Sequence, residues 1–306
     1  MKMFPRSIIA AIAGVFSCGC AHSQSCTLSV TNVAFGSVDV TANAAVDTTA
    51  TFSINCGVFL LGGSVCLNLG AGGGGATNAA NRFMKSGANT LTYGLFTNAA
   101  RTTAWGSDLW AGGGAPSVVV SFGILGGGNA TRTIYGRVFS GQQTVPAGSY
   151  LSAFSGMDAS INVNCSGPAT TTTFNVTATV PTTCSIATNN LNFGTAGVLT
   201  ANTDATTTVA PDCTNGTPYN IGLDGGLSGA TDPTQRKMKK AAEFVLYGLY
   251  RDAARSLPFG NTIGTNTLAG TGTGLAQSVT VYGRIAPQAT PSPGSYNDTI
   301  VVTLTY

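Results

Sequence analysis

The residue types that usually carry out catalysis are scarce in this sequence. A serine, threonine or cysteine nucleophile needs a neighbouring base, most often histidine, and His22 is the only histidine. Glycoside hydrolysis needs two carboxyl groups facing one cleft, yet Glu243 is the only glutamate and the aspartates are scattered. The glycine runs 72–75 and 126–128 lack the lysine and hydroxyl residue of a phosphate-binding loop. We therefore expect neither an enzyme nor a bound cofactor.

The first 23 residues are typical of a secretory signal peptide. Lys2 and Arg6 give a basic start, an apolar run covers 8–16, and small residues stand just before Gln24. The apolar run is shorter than the roughly 18 residues that a membrane-spanning helix needs, and no later segment is long enough. Residues 1–23 are therefore predicted to direct export through the periplasm and to be removed.

Six of the eight cysteines lie beyond the predicted signal peptide. They are Cys26, Cys56, Cys66, Cys165, Cys184 and Cys213. An even count in an exported chain favours disulfides over a metal site, and zinc would lack histidine ligands. We therefore predict three disulfides and no metal, although six cysteines allow about 15 pairings.

The composition is typical of an all-β protein. Charged residues make up 8% of the chain, against about 25% in an average domain. Short runs rich in Thr, Val, Phe and Tyr alternate with Gly and Asn, as strands and turns do; Phe174–Val180 and Val279–Ile285 are examples. A net charge of +3, spread over the chain, gives no basic stripe for nucleic acid.

The chain contains an internal duplication. Each copy opens with a cysteine, continues to a Phe-Gly pair and reaches a second cysteine at nearly the same spacing. The later landmarks match in order: Arg82 to Lys85 with Arg236 to Lys239, 91–96 with 245–250, 134–137 with 281–284, and 146–150 with 293–296. The duplication implies the pairs Cys26–Cys56 and Cys184–Cys213, which leaves Cys66 and Cys165 to pair within the first copy.

These landmarks together resemble the spore coat protein U domain family, which includes subunits of the archaic chaperone–usher pili. The resemblance covers nearly all of the chain beyond the signal peptide, once per copy. It implies two tandem immunoglobulin-like β-sandwiches. It also implies a pilin that lacks its last strand and accepts one from a chaperone or a neighbouring subunit. The implied partners are a periplasmic pilus chaperone, an outer-membrane usher and an adjacent pilin subunit.

The two copies differ at their ends. After Cys165 the first copy continues through a linker into the strand-like segment Phe174–Val180, whereas the second copy ends at Tyr306. We therefore expect a complete head domain over 24–180 and an incomplete pilin domain over 181–306, completed by a donated strand. The expected strand-acceptor edge is Ile300, Val302, Leu304 and Tyr306. The alternative is an ordinary final edge strand.

Apolar residues that the second copy lacks occur in insertions of the first copy. They are Val58, Phe59, Leu60, Leu61, Leu109, Trp110, Val119, Phe122, Ile124 and Leu125. We expect 58–61 and 109–110 to be exposed loop tips, because glycines flank them and exposed apolar patches mark interaction sites. For 118–125 two readings stay open, loop tips or a buried strand. The basic run Arg236–Lys240 is predicted to be a solvated loop, with contact to an acidic partner or to the bacterial surface as the alternative.

These observations favour a pilus-tip adhesin that attaches to abiotic or host surfaces, mainly hydrophobic ones, and supports biofilm formation at the cell surface. A lectin-type tip that reads sugars with Trp110 is one alternative. A spore or surface coat protein that never enters a fibre is another.

Overall fold

The computed structural model describes residues 25–306. The predicted signal peptide, 1–23, lies outside the described residues. Within 25–306 the regular structure is β-strand, apart from one short 3-10 turn at Gly156–Asp158. None of these residues forms a helix long and apolar enough to cross a membrane. The all-β prediction is confirmed.

The first sandwich contains thirteen strands. They are β1 Cys26–Val30, β2 Val33–Ser37, β3 Val46–Phe59, β4 Gly63–Leu69, β5 Ala76–Asn78, β6 Asn81–Ser86, β7 Asn89–Phe96, β8 Val118–Phe122, β9 Gly126–Val138, β10 Gly148–Phe154, β11 Ala159–Val163, β12 Ala169–Thr171 and β13 Phe174–Val180. One sheet has the order β1-β3-β9-β7-β6-β10-β13-β2, with β5 beside β6. The other has the order β12-β11-β4-β8.

The second sandwich contains the remaining eight strands. They are β14 Cys184–Thr188, β15 Thr203–Cys213, β16 Pro218–Leu223, β17 Arg236–Lys240, β18 Glu243–Tyr250, β19 Leu268–Thr271, β20 Val279–Ile285 and β21 Val302–Thr305. One sheet has the order β14-β15-β20-β18-β17, and the other has the order β19-β16-β21.

Each sandwich encloses its own hydrophobic core. The first core runs from Cys26 to Val180, and the second gathers side chains between Cys184 and Leu304. Alternation places the side chains: along β13, Phe174 and Val176 are buried, while Asn175 between them is exposed. Two cores, each between packed sheets, confirm the predicted pair of tandem sandwiches.

The duplicated landmarks make the same contacts twice. Arg137 pairs with Asp47 through two hydrogen bonds of 2.7 and 2.8 Å, and Arg284 pairs with Asp204 at the same distances. Gln142 bridges the backbone N–H and C=O of Thr92, and a glutamine in the second copy bridges Leu246 in the same way. The repeat seen in the sequence is therefore also present in the structure.

Residues 25–306 contain three disulfides: Cys26–Cys56, Cys66–Cys165 and Cys184–Cys213. The first and third join the opening strand of each sandwich to its neighbour, where the paired residues are directly opposite. The Cys66–Cys165 bridge belongs to the first sandwich alone. These are the pairs that the duplication implies.

The expectation of a solvated loop at Arg236–Lys240 is wrong. These residues form β17, and the Arg236 side chain is fully buried, where its guanidinium donates to backbone carbonyl oxygens. Lys239 remains exposed. Burial of one cation within a basic run is favoured here because carbonyl groups from several loops converge on it.

Candidate functional site

Strand β13 closes the first sandwich. It pairs antiparallel with β10, from Gly148 opposite Val180 to Phe154 opposite Phe174, and parallel with β2 on its other side. Its inward side chains fill the core, and the Phe154 and Phe174 rings stack with centroids 4.5 Å apart. The edges of β2 and β10 are therefore both covered by one strand from the same chain.

The second sandwich has a groove where β13 lies in the first. The repeat matches 32–37, which include β2, with 190–195, and 148–154 of β10 with 294–300. Neither matching segment forms a regular strand, and no described residue of the chain lies between them as a strand. The two segments instead form the walls of a groove of about 1150 Å³.

The floor of the groove is the apolar core of the second sandwich. It is formed by Val209, Leu223, Met238, Val245, Leu249, Val281 and Ile285. Val209, Leu223 and Val281 are almost fully buried. A surface of this kind, with backbone walls on both sides and apolar side chains beneath, fits an extended strand with alternating apolar residues.

The wall of the groove contains a carboxylate, Asp298. The Asp298 carboxylate accepts a 2.7 Å hydrogen bond from the Tyr247 hydroxyl and a 2.8 Å bond from the Leu227 backbone N–H. Burial of the Tyr247 hydroxyl is the main reason why its pKa lies above the ordinary value, and the hydrogen bond to Asp298 raises that pKa further. Asp298 occupies the position of Ser152, whose hydroxyl accepts from Gly74 N–H in the first sandwich. Asp298 therefore anchors the loop that carries Leu227.

The predicted acceptor edge falls partly in this groove. Ile300 and Val302 line it, while Leu304 lies on β21 opposite Ile221 and Tyr306 is exposed beyond the strand. The second wall, 188–199, was missed by reading the last strand alone. The repeat carried the signal, since Asn190 to Gly194 match a segment of the first copy that contacts its closing strand.

Two apolar turns meet at one end of the first sandwich. The β3–β4 turn carries Leu60 and Leu61, which are 62% and 90% exposed, and the β8–β9 turn carries Ile124 and Leu125, at 75% and 67%. The turns are adjacent because Gly63 pairs with Phe122, and β3 pairs with the start of β9. We call Leu60, Leu61, Ile124 and Leu125 the apolar tip.

The prediction that Phe59 is exposed is wrong. The ring is fully buried and stacks on Phe122 at a centroid distance of 5.1 Å. The pairing of β3 with β9 shifts register between Cys56 and Phe59, which turns Phe59 inward and leaves Val58 exposed. Phe59 therefore anchors the base of the turn.

For residues 118–125 each reading holds over part of the segment. Val118–Phe122 is strand β8, with Val120 buried and Val119 exposed on the outer face. Ile124 and Leu125 follow in the turn that contributes to the apolar tip. The sequence alone does not show where the strand ends, because apolar residues occupy both faces of β8 and also the turn that follows it.

Leu109 and Trp110 lie away from the apolar tip. The neighbouring Asp108 backbone N–H donates to Asn68 Oδ1, five residues along β4 from Gly63, or about 17 Å at strand spacing. Leu109 is exposed, whereas Trp110 is partly covered and has the Arg82 guanidinium 5.6 Å from its ring centroid. The structure therefore brings together two of the predicted loops and leaves the third apart.

The apolar tip is also remote from the second sandwich. Asp39, in the loop that leads from β2 into β3, accepts a hydrogen bond from Thr183 at the start of the second sandwich. β3 then runs from Val46 to Phe59, a length of about 40 Å at strand spacing. The tip and the junction with the second sandwich therefore lie at opposite ends of the first.

The Spore Coat Protein U domain model matches residues 13–155 and again residues 170–303. The chain belongs to the Spore Coat Protein U domain family. The predicted family is confirmed. The second match starts within β12 and therefore includes β13. The family model thus counts the strand that closes the first sandwich as the beginning of the second domain.

Among curated relatives of the family, Protein U of Myxococcus xanthus is 34% identical over 152 residues, which cover 44% of this chain and 84% of that protein. Among solved structures, the CsuC–CsuE chaperone–tip adhesion subunit pre-assembly complex of Acinetobacter baumannii is similar in fold. That similarity has a TM-score of 0.54 at 14% identity, over 92% of this chain and 100% of that one. The CupB6 tip adhesin of Pseudomonas aeruginosa aligns with a TM-score of 0.35 at 10% identity, over 92% of this chain and 94% of that one.

Proposed function

We propose that this Spore Coat Protein U domain protein is the tip subunit of a chaperone–usher pilus, with a structural and adhesive role rather than a catalytic one. Residues 24–180 form the surface-binding head, and residues 181–306 form a pilin domain that accepts a donated strand. The observation that carries the proposal is the groove between 188–199 and 293–300, at the position that β13 fills in the first sandwich.

An open strand edge over an apolar core favours a donated strand. Unpaired backbone groups along a sheet edge attract any available strand, and native proteins cover such edges. A strand added there gains main-chain hydrogen bonds and buries alternate side chains in the groove. In the periplasm the donor is a pilus chaperone, and after passage through the outer-membrane usher it is the adjacent pilin subunit.

The state of the first sandwich favours a terminal position in the fibre. The described strand best suited to donation, β13, is already packed between β10 and β2 of its own sandwich. The chain therefore accepts one strand through its second sandwich and keeps its own. The fold also resembles that of the Acinetobacter chaperone–tip adhesion subunit complex, which supports a periplasmic chaperone as partner.

The apolar tip is the proposed adhesive surface. It lies at the end of the head that is remote from the pilin domain, where a surface would be met first. Binding buries apolar area, which contributes about 25 cal/mol per Å² before the costs of association. Residues 57–64 and 119–131 carry no charged side chain, so a hydrophobic solid or host surface suits them, and attachment there supports biofilm formation.

A coat function is the second candidate, favoured by the description of the Spore Coat Protein U domain family, to which Protein U is related. A coat protein needs no donated strand, so the two functions differ in how the second sandwich behaves. The test is to express the full chain in a bacterial periplasm with and without a chaperone of an archaic chaperone–usher system. We expect the chain to be soluble only when the chaperone is present, as a 1:1 complex with it.

The matched control is a variant that carries its own donor. A flexible linker and a copy of Phe174–Val180 are appended after Tyr306, and this variant is expected to be soluble without the chaperone. A chain that is monomeric and soluble alone, with slow hydrogen exchange at 190–195 and 294–300, would contradict strand acceptance and favour the coat function.

A further inference from the structure

The Cys66–Cys165 disulfide lies beside the apolar tip. Cys66 is on β4, three residues after Gly63, where the turn that carries Leu60 and Leu61 ends. The second sandwich has Asn220 at the position of Cys66 and no disulfide there. This bridge is therefore a feature of the head alone, in the part of the head that we assign to attachment.

Asn164 reinforces the same contact. Its backbone N–H donates to Ser64 C=O at 2.7 Å, and its side-chain Oδ1 accepts from Ser64 N–H at 3.1 Å. The 164–165 segment thus clamps the residue that directly follows the tip turn. A Cβ added at Gly63 would lie 3.1 Å from Asn164 Oδ1 and within 2.6 Å of the Phe59 ring, so the clamp and the buried Phe59 anchor leave little room for movement.

The clamp has an unfavourable backbone conformation. Asn164 and Cys165 both have positive φ angles, 52° and 57°, which non-glycine residues rarely adopt unless surrounding contacts hold them. The contacts that hold them are the disulfide and the two bonds to Ser64. Loss of the disulfide therefore favours relaxation of this bend and release of Ser64.

The three disulfides differ in their access to solvent. Cys165 is exposed and Cys184 is partly exposed, whereas Cys26, Cys56 and Cys213 are buried at 6%, 5% and 0% exposure. Thiolate attack needs access to a sulfur atom. A mild dithiol reductant should therefore reach Cys165 first. It would transfer two electrons and two protons to the bridge, giving two thiols, while the dithiol itself is oxidised to a disulfide.

We propose that Cys66–Cys165 and Asn164 form a brace that positions the apolar tip, and that reduction of this disulfide through the exposed Cys165 lowers attachment without unfolding the head. Cys66, Cys165 and Asn164 are positioning residues, since none of them is the binding surface. The inference rests on the proposed adhesive function of the tip. It adds a redox-sensitive control to that function.

The experiment treats the full chain, in complex with its chaperone, with dithiothreitol at increasing concentration and blocks the released thiols by alkylation. Mass spectrometry identifies the modified cysteines, and hydrogen exchange is measured on the same samples. We expect Cys66 and Cys165 to be modified first. Exchange at Gly62 to Ser64 should rise at least tenfold, exchange across β13 should not change, and attachment to polystyrene should fall at least fivefold.

Variants separate positioning from general stability. Cys66→Ala/Cys165→Ala should reproduce the effect of reduction, and Asn164→Ala should give a smaller rise in exchange with the disulfide intact. Cys184→Ala/Cys213→Ala, the matched control in the other sandwich, should leave exchange at Gly62 to Ser64 unchanged. Equal exchange at Gly62 to Ser64 before and after selective reduction would overturn the brace.

The two proposals fail in different ways. Faster exchange with unchanged attachment would overturn the link between brace and adhesion. If the untreated chain does not attach to any hydrophobic surface, the proposed function fails, and the exchange rates then decide the brace alone.

Discussion

Arg82 and Arg236 occupy the same buried position in the two sandwiches, and each guanidinium donates to four backbone carbonyl oxygens. The acceptors of Arg82 are Leu69, Gly70, Ala79 and Trp105, and those of Arg236 are Leu223, Asp224, Pro233 and Phe259. No carboxylate forms a salt bridge with either arginine within the described residues. The cations therefore tie three segments of each sandwich together through carbonyl groups, and burial lowers the pKa of Arg82 to about 10.

Replacing either arginine should strongly destabilise its own sandwich. Arg82→Met leaves four buried carbonyl groups without a donor, and each unsatisfied group costs about 1–3 kcal/mol. We expect a loss of at least about 3 kcal/mol in the free energy of unfolding of the head, measured by chemical denaturation, and a comparable loss in the other sandwich from Arg236→Met. Lys85→Ala, an exposed residue on the same strand as Arg82, is the control and should change stability by less than about 0.5 kcal/mol. A small loss of stability in Arg82→Met would show that water molecules or a rearrangement of the loops satisfy the four carbonyl groups in place of the guanidinium.

The paired ion clusters predict acid sensitivity. Hydrogen bonds from Arg137 and Arg284 hold the pKa values of Asp47 and Asp204 below the ordinary range. A carboxyl with a lower pKa in the folded state takes up its proton first in the unfolded chain, so this stabilisation is present above pH 4 or so and is lost as the pH falls further. The melting temperature should decrease from about pH 5 to 2.5. The slope should be shallower in Asp47→Asn/Asp204→Asn, and an identical slope in that variant would assign the acid effect to other groups.

Substitutions at Phe59 and Leu61, two residues apart at the tip turn, should have different effects on stability and on attachment. Phe59→Ala removes a fully buried ring, which costs about 3–5 kcal/mol, and should lower the stability of the head. Leu61→Ser changes a side chain that is 90% exposed and should leave stability within about 0.5 kcal/mol while attachment to polystyrene falls severalfold. Thermal unfolding and a plate attachment assay measure the two effects. Leu61→Ser with full attachment would exclude this turn from the adhesive surface.

The groove should be sensitive to charge on its wall. Leu191→Asp places a carboxylate beside the path of an incoming strand, and we expect at least tenfold weaker capture by the chaperone, equivalent to about 1.4 kcal/mol. Ile263→Asp, at an exposed apolar residue outside the groove, is the matched control and should bind normally. Co-purification followed by interferometry provides the measurement. Equal affinity of both variants would place strand acceptance elsewhere.

The fold could be predicted from the sequence because cysteine spacing, alternation and the internal repeat all report on backbone pairing. The burial of Phe59 could not, since it depends on a register shift after Cys56 that reverses which face each residue occupies. The burial of Arg236 could not be predicted either, because arginine is normally exposed and its carbonyl acceptors come from distant loops. For the groove, the sequence indicated only the wall near the last strand, which includes Ile300 and Val302. The opposite wall at 190–195 was identified only from the structure, because its residues are far away in the sequence.

Only three residues separate the end of β13 at Val180 from Cys184, which opens the second sandwich. In the proposed tip position, a pull on the fibre would enter the head through Val180, along the axis of β13. β13 has seven residue pairs with β10 and further pairs with β2, and ladder hydrogen bonds lie across the strand direction. Tension loads all of them together in shear instead of opening them one at a time. Under the proposed function, the strand that completes the head would thus also be the mechanical joint that carries the load when an attached cell is dragged by flow.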